Sequence, residues 1–168
     1  MAALEVGSIA PDFTLEDQDG NSVRLYSELE RGPVVLYFYP KDETPGCTAE
    51  ACTFRDQYTD FVDAGATVLG VSNDSVASHR AFATRHRLPF RLLSDPDGSV
   101  RKLYGVKKTL WVMNGRVTFV IDPNRTIRHA FRSQLKFRQH VTEALSTLRT
   151  LRPPTSAASQ TGAPSSPT

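Results

Sequence analysis

Six consecutive apolar residues, Val34-Val35-Leu36-Tyr37-Phe38-Tyr39, constrain this chain more than any other feature. An unbroken run of β-branched, aliphatic and aromatic side chains reads as a fully buried strand at the centre of a sheet. After it, Pro40-Lys41-Asp42-Glu43-Thr44-Pro45-Gly46 breaks the pattern. Ala51, Phe54, Tyr58, Phe61 and Val62 then recur at spacings of three and four, which predicts a helix. The intervening stretch is therefore the loop and first turn between a central strand and a helix. In open α/β sheets that place, beyond the carboxyl end of a strand, is where sites form.

Thr44 suits the helix N-cap, where its hydroxyl accepts a backbone N–H two or three residues on. Pro45 suits the first helical position, which needs no N–H partner. Cys47 then falls in the first turn, near free N–H groups and the positive end of the helix dipole. That setting favours the thiolate and argues against burial in a core. Cys52 stands five residues further on. Five helical residues rise about 7.5 Å and turn about 140°. A disulfide needs Cα atoms within roughly 7 Å and converging side chains. The two thiols cannot bond while the helix is intact, so bonding requires its first turns to unwind. Gly46 eases that.

The spacing Pro40-x-x-x-Thr44-x-x-Cys47-x-x-Glu50 resembles the active-site signature of the peroxiredoxins. A second cysteine five residues later resembles their Q-type branch, the bacterioferritin comigratory proteins. The resemblance spans roughly residues 4 to 150. It implies a thioredoxin-like fold and a thiol-dependent peroxidase acting on hydrogen peroxide and organic (alkyl) hydroperoxides. Cys47 is then the nucleophile, and Cys52 resolves its sulfenic acid as an intrachain disulfide. A thioredoxin or similar dithiol protein is the implied reductant, no cofactor is needed, and the branch points to a monomer. Gly115-Arg116-Val117-Thr118-Phe119-Val120-Ile121-Asp122 resembles the segment that brings an arginine to the cysteine. Glu50 matches the glutamate that orients Arg116, Thr44 a hydroxyl donor to peroxide, and Pro40 a shield over the thiolate. Plainer roles stand beside these. Thr44 is an N-cap, Pro40 a strand terminator, Cys52 a bystander, and Glu50 and Arg116 solvated charges.

The rest of the chain reads as α/β, a central mixed β-sheet flanked by helices, with an N-terminal β-hairpin. Residues 8–16 and 23–25 form the hairpin around the turn Asp17-Gln18-Asp19-Gly20-Asn21. Further strands are expected at 66–72, 90–93, 117–121 and 126–131, and helices at about 75–87, 99–104 and 137–151. Thr109-Leu110-Trp111-Val112-Met113-Asn114 is an apolar stretch that reads as packing, as a loop at the substrate entrance or as a partner surface. Residues 1–151 make one domain, and the low-complexity stretch 152–168 reads as a disordered tail.

Composition excludes several classes. No run approaches the ~20 apolar residues of a membrane span. With no signal-peptide pattern at the start, cytoplasmic residence is expected. Two cysteines in a reducing compartment argue for redox chemistry over a structural staple. His79, His86, His129 and His140 are scattered and read as non-ligands, so no metal is expected. The 20 basic and 18 acidic side chains nearly balance but are unevenly placed. Residues 1–100 hold eight Lys/Arg against sixteen Asp/Glu, and residues 101–168 hold twelve against two. Halves that interleave in one domain would offset these charges, whereas a nucleic-acid surface would leave them clustered. No nucleic-acid reader motif appears. A redox sensor, reacting once and recycling slowly, is the other alternative to a peroxidase.

Overall fold

The computed structural model describes residues 4–106, 108–109 and 113–151. Trp111 and the 152–168 stretch lie outside the described residues. The chain begins with β1 (Thr14–Glu16), β2 (Ser22–Arg24), α1 (Leu25–Leu29), β3 (Val34–Phe38), α2 (Pro45–Asp56) and α3 (Tyr58–Asp63). It continues with β4 (Thr67–Ser72), α4 (Val76–His86), β5 (Arg91–Ser94) and α5 (Ser99–Leu103). It ends with β6 (Lys108–Thr109), β7 (Met113–Asn114), β8 (Val117–Ile121), β9 (Ile127–Arg132) and α6 (Phe137–Leu151).

The apolar run is the centre of the molecule. Seven strands form one mixed sheet in the order β2-β1-β5-β4-β3-β8-β9. β3 pairs in parallel with β4 and antiparallel with β8. Successive side chains of a strand point to opposite faces. Val35, Tyr37 and Tyr39 therefore join α2, α3, α4 and α6 in one core. Val34, Leu36 and Phe38 join α1 and α5 in the other. Every residue of β3 is at most 1% exposed. Each such burial contributes about 1.5–3 kcal/mol, which is why this segment anchors both layers.

Three local expectations need correction. The helix predicted after Cys47 does not run unbroken from Ala51 to Val62. Gln57, at φ −101° and ψ 10°, closes α2 and opens α3. The break keeps Phe61 buried but turns Val62 outward, at 50% exposure. The N-terminal hairpin is also shorter than its sequence pattern. Residues ahead of β1 lie along the β8–β9 turn instead, through Gly7 N–H to Ile127 O and Ala10 N–H to Arg125 O. Finally, β6 and β7 form a two-residue antiparallel ribbon, too short for periodicity to register. Among the described residues, no helix is long and apolar enough to cross a membrane.

Candidate active site

β3 delivers its chain directly into the loop that carries the thiol. Tyr39 N–H still bonds Val71 O (3.1 Å), and Pro40 then bends the backbone away from the sheet. The loop is fastened by Asp42. Its Oδ1 accepts from Tyr39 Oη (2.5 Å), and its Oδ2 accepts from Ser78 Oγ (2.8 Å) and faces His79 Nδ1 at 2.7 Å. Its backbone N–H donates to Asp74 Oδ2 (2.8 Å). Asp42, Asp74 and His79 bring ligand-type atoms within 4.8 Å of one another, a cluster invisible in the sequence. Hydrogen bonds from Tyr39, Ser72, Ser78 and Asp42 N–H already engage its carboxylates. His79 Nε2 meets Leu93 O at 2.9 Å. The arrangement ties the loop to α4 and β5.

Thr44 occupies the N-cap and Pro45 the first position of α2, as expected. The Thr44 hydroxyl, however, makes no capping bond; it donates to Lys41 O (2.8 Å). The backward bond tightens a loop in which Glu43 adopts a left-handed φ of 64°. The first helical bond runs from Thr48 N–H to Thr44 O (2.8 Å). The amides of Gly46 and Cys47 precede it and belong to the unbonded group at a helix start.

Cys47 is 1% exposed, contrary to the expectation of an open thiol. The cause is tertiary. The start of α6 lies across the first turn of α2, and Arg116 reaches in beside it. Phe137 stacks on the Arg116 guanidinium, 4.8 Å from ring centroid to Cζ. A Cβ on residue 46 would fall 2.7 Å from Phe137 Cζ and 3.1 Å from Arg116 Nη2. Gly46 is therefore needed for close approach, besides any role as a hinge.

Arg116 stands one residue before β8, which lies beside β3 with Phe38 opposite Val117. That register brings its side chain to the thiol. Nη2 lies 3.4 Å from Cys47 Sγ, and Nη1 donates to Glu50 Oε1 (2.5 Å). Neither charge is solvated: Arg116 is 5% exposed and Glu50 is fully buried. Arg116 thus sets a permanent cation directly against the sulfur. Burial alone would lower Arg116, but Glu50 and Cys47 outweigh it and raise it. For Glu50 burial wins, pushing the carboxyl up to about 7 against the pull of Arg116. The basic second half thus turns part of its charge inward onto the acidic first half. Both cysteines are free, Cys47 buried and Cys52 half-buried, on one continuous α2.

The AhpC/TSA family profile matches residues 6–130. The chain is 49% identical over 146 residues to a chloroplastic peroxiredoxin Q of Triticum aestivum, covering 86% of this chain and 67% of that protein. The chain belongs to the AhpC/TSA family, as a Q-type peroxiredoxin. A similar solved structure, peroxidoxin BcpB from Mycobacterium tuberculosis, has a TM-score of 0.84 at 40% identity and covers 89% of this chain and 99% of that one. The bacterioferritin comigratory protein of Xanthomonas campestris, solved in connection with its alkyl peroxide reduction activity, gives 0.78 at 33%, covering 90% and 99%. The sheet and its helices are the thioredoxin-like architecture of these peroxiredoxins, and the family's chemistry is thiol-dependent peroxide reduction.

One residue of this peroxiredoxin's site escaped the sequence reading. His140, on α6, is buried behind Glu50, with Nδ1 3.6 Å from Glu50 Oε2. Its Nε2 donates to Ser133 O (2.7 Å), so Nδ1 accepts from Thr118 Oγ1 (2.8 Å). Burial lowers it to about 4. Its only sequence signal was its place on the apolar face of the last helix, the usual mark of core packing.

Glu50 and His140 pull stability in opposite directions as pH changes. Between 4.5 and about 7 the folded Glu50 keeps a proton that the unfolded chain loses, so its contribution falls as pH rises. Between about 4 and 6.5 the unfolded His140 binds a proton that the folded one refuses, so its contribution rises. The two slopes offset across the shared window. Urea midpoints of Glu50→Gln should therefore climb with pH there, and those of His140→Asn should fall. Each change is on the order of 2–3 kcal/mol across the window. Parallel profiles for wild type and both variants would contradict this.

Proposed function

We propose that this peroxiredoxin reduces hydrogen peroxide and alkyl hydroperoxides through an intrachain Cys47–Cys52 cycle. The Cys47 thiolate attacks one peroxide oxygen. The S–O bond forms, the O–O bond breaks, and the other oxygen leaves as hydroxide or alkoxide and takes up a proton. Charge moves from sulfur to the leaving oxygen, so fixed donors around both lower the barrier. Arg116, the amides of Gly46 and Cys47, and the Thr44 hydroxyl are the donors at hand. Thr44 must first give up its bond to Lys41 O. Pro40, half-buried at the strand end, keeps water from the sulfur. Glu50 holds the guanidinium in place.

Cys52 then displaces water from the Cys47 sulfenic acid to form the disulfide. A thioredoxin-type dithiol reduces it, becoming oxidised itself. Helix α2 must unwind for this, because both cysteines lie on it. The observation that carries the reading is Arg116 bridging Cys47 and Glu50 in a buried site. The alkyl peroxide activity named for the Xanthomonas campestris relative supports the substrate class. Cys47, Cys52, Arg116 and Glu50 all lie in one chain, so the oxidation and resolution steps need no second copy, which supports a monomer.

Intact-mass analysis after one equivalent of hydrogen peroxide tests the cycle. The wild type should lose two hydrogens. Cys52→Ser should instead gain one oxygen on Cys47 and progress to higher oxides with excess peroxide. An unchanged wild-type mass would overturn the reading. A wild type that gains oxygen without losing hydrogens would assign resolution to an external thiol.

A further inference from the structure

A buried arginine that takes no part in the chemistry above joins the two strand ends on which that chemistry depends. Arg101 sits on α5, on the opposite face of the sheet from α2, and is 5% exposed. Its Nη2 donates to Tyr39 O (2.7 Å) and its Nη1 to Gly115 O (2.8 Å). The β3–β8 ladder stops at Phe38 opposite Val117. Tyr39 and the residues before Val117 lie just past that last rung. The planar guanidinium fork continues the connection where backbone pairing ends. Tyr39 opens the loop to Cys47, and Gly115 directly precedes Arg116.

Arg101 is itself held firmly. Its backbone N–H donates to Asp95 Oδ2 (2.9 Å), beside Val100 N–H on Asp95 Oδ1 (3.2 Å). Its Cζ lies 5.7 Å from the centre of the Phe38 ring. Among the described residues, the guanidinium hydrogen-bonds only carbonyl oxygens, and Nε is buried without a partner. Burying a cation in this way is costly, and a residue chosen for packing alone would avoid it. Burial pulls Arg101 down to about 10, against the opposing charges of Asp95, Cys47 and Tyr39.

We propose that Arg101 is a positioning residue for peroxide reduction: its guanidinium spans the Tyr39 and Gly115 carbonyls and fixes the spacing at which Arg116 meets the Cys47 sulfur. The proposal rests on the peroxidase reading above.

The test uses the full chain carrying Cys52→Ser, so that one thiol reports. Two quantities are measured: the single-turnover rate of Cys47 oxidation by hydrogen peroxide, and the pH profile of Cys47 alkylation by iodoacetamide. Arg101→Met should slow oxidation about 10- to 100-fold, the scale of a 1 Å misplacement, and move the alkylation profile to higher pH. Arg101→Lys keeps the charge but not the fork. It should slow oxidation by a smaller factor and leave the alkylation profile near that of the parent. A purely structural arginine would lower the thermal midpoint while leaving the rate per folded molecule and the profile unchanged; that result overturns the proposal. Should Arg101→Met fail to fold, Arg101→Lys decides, a slowed rate supporting the fork and a parental rate overturning it. A Cys52→Ser parent inert to peroxide would overturn the peroxidase reading and this proposal with it. A reactive parent with indifferent variants would overturn the proposal alone.

Discussion

Arg116→Met should lower the second-order rate constant for peroxide reduction by about 10²- to 10³-fold, the usual effect of losing one fixed donor to developing charge. Arg116 meets the sulfur at 3.4 Å and the Glu50 carboxylate at 2.5 Å. Its removal therefore takes the cation from the nucleophile and leaves a buried carboxylate without its partner. Breaking such a pair costs about 3–5 kcal/mol when the remaining charge must stay charged. Glu50 has an escape, because burial already holds it at about 7. Without Arg116 it will keep its proton to still higher pH. The stability loss should consequently be small near pH 5 and large near pH 9, whereas the loss of rate should persist at every pH. Urea unfolding and stopped-flow oxidation at several pH values check both. Arg116→Lys should recover part of the rate, since a single ammonium cannot serve sulfur and carboxylate with the same fork. Equal rates in wild type and Arg116→Met would remove Arg116 from the mechanism.

Cys47→Ser should abolish turnover, a loss of more than about 10⁴-fold. A serine hydroxyl beside Arg116 still accepts its hydrogen bond, so the fold should survive. It does not ionise to a useful nucleophile, and it cannot pass through a sulfenic acid. Cys52 offers no substitute. It lies half-buried on another face of α2, about 140° around the helix from Cys47. Neither Arg116 nor the opening turn of the helix serves it. Peroxide consumption with a dithiol reductant, alongside circular dichroism of the variant, measures both halves. Turnover retained in a folded Cys47→Ser protein would place the nucleophile elsewhere.

How much of this was legible in advance depended on the range of the interaction. The strand–loop–helix unit around Cys47 was readable because periodicity, Pro45 and the apolar run act within a few residues. The strand at Val117–Ile121 was readable to the residue for the same reason. Val62 was misread because a single bend at Gln57 rotated its helix segment. Thr44 was placed correctly at the N-cap but given the wrong bond: its hydroxyl turns back into the loop to donate to Lys41 O instead of accepting a helix N–H. His140 and Arg101 looked like ordinary helical residues, and nothing local marks a histidine or arginine as buried. The Asp42–His79 contact joins residues 37 positions apart and has no sequence signature.

By itself the sequence determined that a thiol begins a helix at the end of a central strand, five residues before a second thiol on the same helix. Those are consequences of backbone geometry and short-range sterics. Only the tertiary structure decided that this thiol is covered, that Arg116 meets it while paired with Glu50 away from solvent, and that Arg101 ties the ends of β3 and β8 together. Removing charges from water is worthwhile only when partners from distant segments arrive together, and the packing of β8, α5 and α6 onto β3 and α2 is what brings them.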